Sequence, residues 1–272
     1  MFAGVYNGRM DLGLKNRVAI VAASSQGLGK AVALGLAREG ADLALCARTE
    51  STLLAAADEI RAGTGSRVFS RAVDVTDPEQ VRRFVADTAA EYGRIDICVA
   101  NAGGPPSKSF AETSIADWQA AANLNLMSTV YLARETLPVM QQRKWGRFIA
   151  ISSVSVKQPI DGLILSNSVR AGVSGLVKSL SNEYGPYNIL VNSVCPGYTA
   201  TARLGSLSQR LADKEGVSSK EIEGRWAGQT PLRRIGQPEE FANLVVFLAS
   251  ERASYITGVS IAVDGGIVKG LY

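Results

Sequence analysis

Two hydrophobic patterns alternate along the chain. Short, continuously apolar runs rich in branched side chains read as strands buried on both faces: 17–23 (RVAIVAA), 41–47, 68–75, 96–100, 147–152, 189–194 and 259–264. Between them, apolar residues recur at helical spacing. Leu28, Val32 and Leu36 fall at i, i+4 and i+8, and Gly40 follows as a stop. Val169, Val173, Leu176, Val177 and Leu180 line one face of a later segment. Strand–helix alternation with fully apolar strands predicts one α/β domain. Its parallel sheet is doubly wound, of the Rossmann type, with helices on both faces. There is no internal repeat, low-complexity tract or Pro/Ser-rich linker. Residues 1–13 are expected to be an N-terminal extension and 14–272 the domain. Segment 200–230, polar and lacking strand signals ahead of Pro231, is expected to be a mobile lid.

Composition removes several chemistries. The 272 residues include no histidine, which excludes a Ser-His-Asp or Cys-His triad and the H-E-x-x-H zinc helix. Cys46, Cys98 and Cys195 lie far apart inside apolar runs, so neither a Cys₄ zinc site nor a C-x-x-C redox pair is available. They read as small buried hydrophobes in a reducing compartment, and no metal is expected. No apolar run is long enough to span a bilayer, and the first seventeen residues contain no continuous apolar h-region. A cytoplasmic location is the expectation. With 29 basic and 25 acidic residues the net charge is +4, too weak to argue for nucleic acid.

The first strand runs into Ser24-Ser25-Gln26-Gly27-Leu28-Gly29 and then a helix. Glycines at such a junction let the backbone turn tightly and approach a pyrophosphate, which the helix N-terminus receives. At the end of the second strand, a carboxylate would bond a ribose 2′-hydroxyl and repel a 2′-phosphate. The chain has Ala47-Arg48-Thr49 there, and a guanidinium can fork onto a phosphate. NADP(H) is therefore expected over NAD(H).

Downstream lie Asp74-Val75, Asn101-Ala102-Gly103, Asn125-Leu126, Ile151-Ser152-Ser153, Pro196-Gly197-Tyr198-Thr199-Ala200-Thr201, Pro238-Glu239-Glu240 and Val263-Asp264-Gly265-Gly266. Together with the glycine loop, this ordered set resembles the short-chain dehydrogenase/reductase family over about residues 14–267, and within it the 3-oxoacyl-acyl-carrier-protein reductases most. Ala22-Ala23 stands where the family has Thr-Gly, which restricts the loop backbone. The resemblance implies coenzyme contacts at residues 24–29, Arg48, Thr49, Asp74, Val75, Asn101, Ala102, Gly103, Ile151, Arg170, Pro196, Gly197, Thr199 and Thr201. It also implies a homodimer or homotetramer, paired through helices at about 111–136 and 165–184 and the last strand.

The family's ketone reduction uses Ser, Tyr, Lys and Asn. A hydroxyl holds the carbonyl, an acid protonates the nascent alkoxide, a cation lowers that acid's pKa and grips the ribose, and a proton path refills it. Here Ser153 and Asn125 keep their places, but the Y-x-x-x-K pair reads Ser166-Asn167-Ser168-Val169-Arg170. An aliphatic alcohol is a far weaker acid than a phenol, and arginine does not shuttle protons. Lys157 on the loop after the fifth strand, Tyr198, or a water positioned by Ser166 are the alternative proton donors. The expected activity is NADP(H)-dependent reduction of a small carbonyl compound, a 3-oxoacyl thioester among them. The alternatives are a nucleotide-binding sensor or scaffold without redox turnover, and lyase or isomerase chemistry on the same scaffold. Arg143-Lys144 would be the docking patch for an acidic acyl carrier protein, although Tyr187 adds no second charge.

Overall fold

The computed structural model describes residues 10–271; residues 1–9 of the expected extension lie outside the described residues. Seven strands form one parallel sheet: β1 (Val18–Ala22), β2 (Asp42–Ala47), β3 (Val68–Ala72), β4 (Ile97–Ala100), β5 (Gly146–Ile151), β6 (Ile189–Pro196) and β7 (Ser260–Val263). Their order is β3-β2-β1-β4-β5-β6-β7. The chain therefore steps outward one way from β1 and the other way from β4. A crevice opens between the carboxyl ends of those two strands, where α/β sheets of this kind hold ligands.

Both faces are covered, as the apolar strands require. One face packs α1 (Gly27–Arg38), α2 (Glu50–Thr64) and α9 (Pro238–Ala249) through Val32, Leu36, Leu53 and Val245. The other packs α3 (Pro78–Tyr92), α5 (Ser128–Arg143) and α6 (Ile164–Tyr184) through Phe84, Leu132, Leu137 and Val173. Gly40, at φ +84°, follows α1 as expected. All three cysteines are free and buried, and burial pushes the thiols of Cys46 and Cys98 up to about 12.

The structure corrects the expected elements in two places. β3 ends at Ala72, so Asp74 and Val75 lie beyond the strand. The Asp74 carboxylate instead turns the chain, accepting from Thr76 N at 2.9 Å and Thr76 Oγ1 at 2.8 Å. The helix expected over 111–136 is broken. A short turn at Phe110–Glu112 precedes α4 (Ile115–Ala122), whose N-cap Ser114 accepts from Asp117 N, and one π turn at Asn123–Met127 leads into α5. The segment at 200–230 carries no strand, in keeping with its sequence. It folds as α7 (Ala202–Glu215) and α8 (Ser219–Gln229), packed on each other around Ala212, Ile222 and Trp226.

Candidate active site

The loop from β1 into α1 is tightly wound. Gly27 has φ +57°, and a Cβ on Gly29 would lie 2.2 Å from the Ala23 carbonyl oxygen, so no other residue fits there. Ala23 itself has φ +49°, a left-handed conformation that costs an L-residue about 1–2 kcal/mol. Part of that cost is recovered by glycine, which loses more entropy on folding. Ala23→Gly is thus expected to raise the melting temperature by about 1–3 °C, read by calorimetry.

The N-terminus of α1 is open. Its N-cap, Gln26, makes no side-chain cap bond, and no acid lies in the first turn. Unsatisfied N–H groups and a positive dipole end are thereby left for an anion. Ala23, Gln26, Gly27 and Leu28 line a cavity of about 1140 Å³. Ser24 and Ser25 are not part of this lining. Ser24 is buried and donates to the Cys46 carbonyl, which pins the loop to β2.

Arg48 is exposed at the end of β2 and makes no ion pair or hydrogen bond among the described residues. Thr49 is the N-cap of α2, and its side chain caps nothing. Arg48, Thr49, Asp74 and Val75 all stand outside the cavity. Val75 is buried, and Asp74 is engaged in its turn.

Past β4, Asn101, Ala102 and Gly103 line the cavity. Asn101 Nδ2 donates to the Ala23 carbonyl at 3.4 Å and so ties the two loops together. The π turn carries Asn125 inward. Its Nδ2 donates to the Gly103 carbonyl at 2.8 Å, while its buried Oδ1 has no hydrogen-bond partner. A π turn often marks a functional site, because one extra residue re-aims a side chain without ending the helix.

The floor is built by the end of β5 and the first turns of α6. Ser153 Oγ accepts from Ser155 N at 3.1 Å, so its own O–H remains free to donate. Ser155 Oγ and Ser166 Oγ stand 3.4 Å apart. Arg170 is buried at 7 % exposure, and no carboxylate is among its partners. One terminal nitrogen donates to the Ile151 and Ser152 carbonyls, both at 3.0 Å, and the other to the Gly103 carbonyl at 3.3 Å. Burial lowers its pKa to about 10. Arg170 thus holds the β4 loop against the β5 end while still facing the cavity, as do Ile151, Ser153 and Ser166.

The other two candidate acids fare differently. Lys157 is half-buried and is not brought to the cavity wall. Tyr198 does line it, but its ring stacks on Trp226 with centroids 4.9 Å apart, and burial pushes its phenol up, making it a weaker acid. Pro196, Gly197, Thr199 and Thr201 complete the far wall. Gly197 is required there, since its Cβ would meet Asp264 Cα at 2.7 Å. Thr201 caps α7 by accepting from Leu204 N.

Sequence reading missed the loop after Gly103 as a wall. Pro105, Ser107 and Lys108 line the cavity, and the Pro105 carbonyl accepts from Arg203 across it at 2.6 Å. The Gly103-Gly104-Pro105-Pro106 run was the available signal for a functional loop. Among the described residues no cluster of His, Cys, Asp and Glu is placed to hold a metal ion, and no helix is long and apolar enough to cross a membrane.

A family model described as enoyl-(acyl carrier protein) reductase matches residues 22–268. A 3-oxoacyl-[acyl-carrier-protein] reductase of Aquifex aeolicus (strain VF5) is 34% identical over 258 residues, covering 95% of this chain and 100% of that protein. A short chain dehydrogenase/reductase of Aspergillus oryzae is 34% identical over 256 residues, covering 93% and 95%. The crystal structure of L-sorbose reductase from Gluconobacter frateurii, complexed with NADPH and L-sorbose, superposes with a TM-score of 0.92 at 36% identity, covering 96% of this chain and all of that one. With this sheet order, glycine loop and cavity, the chain belongs to the short-chain dehydrogenase/reductase family and is an oxidoreductase.

Proposed function

We propose that the chain reduces the carbonyl of a small molecule with NADP(H), using a reaction centre in which Ser166 and Arg170 occupy the places of the family's Tyr and Lys. The observation that carries this reading is the shared cavity. One space joins the open N-terminus of α1 to Ser153, Ser166 and Arg170.

The chain's own residues fit the coenzyme. Gly27 and Gly29 let the backbone close, the α1 N-terminus receives a diphosphate, and unpaired Arg48 suits a 2′-phosphate. Bound NADPH supplies a hydride. Ser153 donates its free O–H to the carbonyl oxygen. Arg170 places positive charge beside the nascent alkoxide and, with Asn125, fixes the Gly103 loop. Ser166, too short and too weak an acid to replace a phenol, orients a water that delivers the proton. The absence of Lys157 from the cavity wall and the stacking of Tyr198 favour this route over either side chain. A 3-oxoacyl thioester is the substrate class suggested by the name of the Aquifex relative.

The test of the coenzyme and substrate assignment is NADPH and NADH oxidation across a panel of ketones. NADPH is expected to be preferred. Arg48→Ala should shrink that preference by about tenfold or more, the worth of a lost charge-assisted phosphate contact. An NADH preference, or no effect of Arg48→Ala, contradicts the assignment.

A further inference from the structure

Resting on the reductase reading, we infer that the carbonyl substrate carries an anionic group, a carboxylate or phosphate, received by a cationic stripe on the lid helix. Arg203, Arg210 and Lys214 fall at i, i+7 and i+11 along α7, a spacing that returns to one helix face, and all three line the cavity. Leu207 and Leu211 line it from the same face, so the charges sit on an otherwise apolar wall.

In sequence, Asp213, Glu215, Glu221 and Glu223 offset this charge. In the fold they do not, because none of the four lines the cavity. Glu215 and Glu221 both pair with Arg225, at 2.5 and 2.7 Å. Asp213 accepts from Gln209 and Glu223 from Ser208, both within the lid. The lid thus sorts its charges, with its four acids turned onto lid partners and three of its five cations on the cavity wall.

The opposite wall offsets the stripe only in part. Lys108 is paired with Asp117. Glu112, held ionised by Ser109 N and Oγ, both at 2.7 Å, offsets Lys214 but not Arg203 or Arg210. Asp161, exposed before α6, is the other lining acid. Arg203 has only the Pro105 carbonyl and Arg210 only the Ser206 carbonyl as hydrogen-bond acceptors among the described residues. Arg203's pKa is lowered by partial burial and by the charge of Arg210, as expected of two guanidiniums sharing a wall with no acid between them.

The experiment uses matched probes that differ only in charge. The pairs are acetoacetate against acetoacetamide, dihydroxyacetone phosphate against dihydroxyacetone, and acetoacetyl-phosphopantetheine against acetoacetyl-pantetheine. Binding to the NADPH-loaded protein is read by calorimetry, and kcat/KM by NADPH oxidation. The anionic member of at least one pair should bind about tenfold tighter or better. Arg210→Gln should cut that anion-over-neutral ratio by about tenfold, whereas Lys220→Gln, the same charge change on α8 outside the cavity, should leave the ratio in place. The responding pair distinguishes a carboxylate, a free phosphate ester and a phosphopantetheine arm. Equal affinity for charged and neutral members of every pair, or equal effects of the two substitutions, overturns the inference. Neutral ketones reduced without anion preference would leave the reductase reading standing alone. Anion-selective binding with no NADPH oxidation by any probe would overturn that reading and keep the anion site.

Discussion

Replacing Ser166 by Tyr and Arg170 by Lys together is expected to raise kcat for a ketone by about 10²- to 10⁴-fold, the range that a positioned general acid contributes. A phenol titrates near 10 and an adjacent ammonium draws it lower, whereas the serine alcohol does not titrate in water at any useful pH. Ser166 is buried beside Ser155 but lines the cavity, and the ring is expected to extend into that space. The lysine carries a cost. Arg170 spans three carbonyls with a planar fork, and a single ammonium nitrogen gives up at least one of them, about 1 kcal/mol of stability. Ser166→Tyr alone should therefore gain less activity than the pair but lose less stability. The pH profile supplies an independent check. An acid acts only while protonated, so the rate of the double variant should fall as pH rises through the new phenol's pKa. No phenol titration should shape the profile of the parent. Unchanged kcat in the double variant would mean that proton delivery does not limit this centre.

Ser153→Ala is expected to lower kcat/KM by about 10²- to 10³-fold, the effect of removing one donor to a developing oxyanion. Ser153 Oγ already accepts from Ser155 N and lines the cavity, so its O–H is left to donate to a bound carbonyl. The same bond means that alanine also loosens the turn after β5, with a melting-temperature drop of about 2–4 °C. Ser153→Thr keeps a hydroxyl and should recover much of the activity, a rescue that a purely structural role for Ser153 would not link to rate. Loss of rate in Ala and recovery in Thr, measured with NADPH held saturating, separates carbonyl contact from folding.

The sheet was legible in the sequence because its five inner strands are buried on both faces. Continuous apolar runs such as 17–23 and 96–100 have no amphipathic alternative. The glycine loop was legible for the same kind of reason, since a left-handed φ at position 27 and close backbone approach at position 29 admit few residues. Three features were not. The π turn that aims Asn125 depends on one residue's worth of helix register, which leaves the apolar spacing nearly intact. The two helices of segment 200–230 are polar, and a small core of their own around Ala212, Ile222 and Trp226 anchors them. Arg170's partners are backbone carbonyls of Ile151, Ser152 and Gly103, and main-chain groups leave no trace in side-chain identity. Lys157 shows the converse: proximity to Ser153 along the chain suggested a role, but the short helical turn at Val154–Val156 leaves it off the cavity wall.

The most direct measurement follows the hydride itself. NADPH deuterated at the reactive carbon of the nicotinamide is incubated with enzyme and a reducible ketone, and the product alcohol is examined by mass spectrometry and NMR. Label is expected on the carbinol carbon, accumulating about 10²-fold more slowly with Ser153→Ala. Tight NADPH binding with no label transferred to any ketone, charged or neutral, would instead mean a cradle that holds its dinucleotide without reacting it.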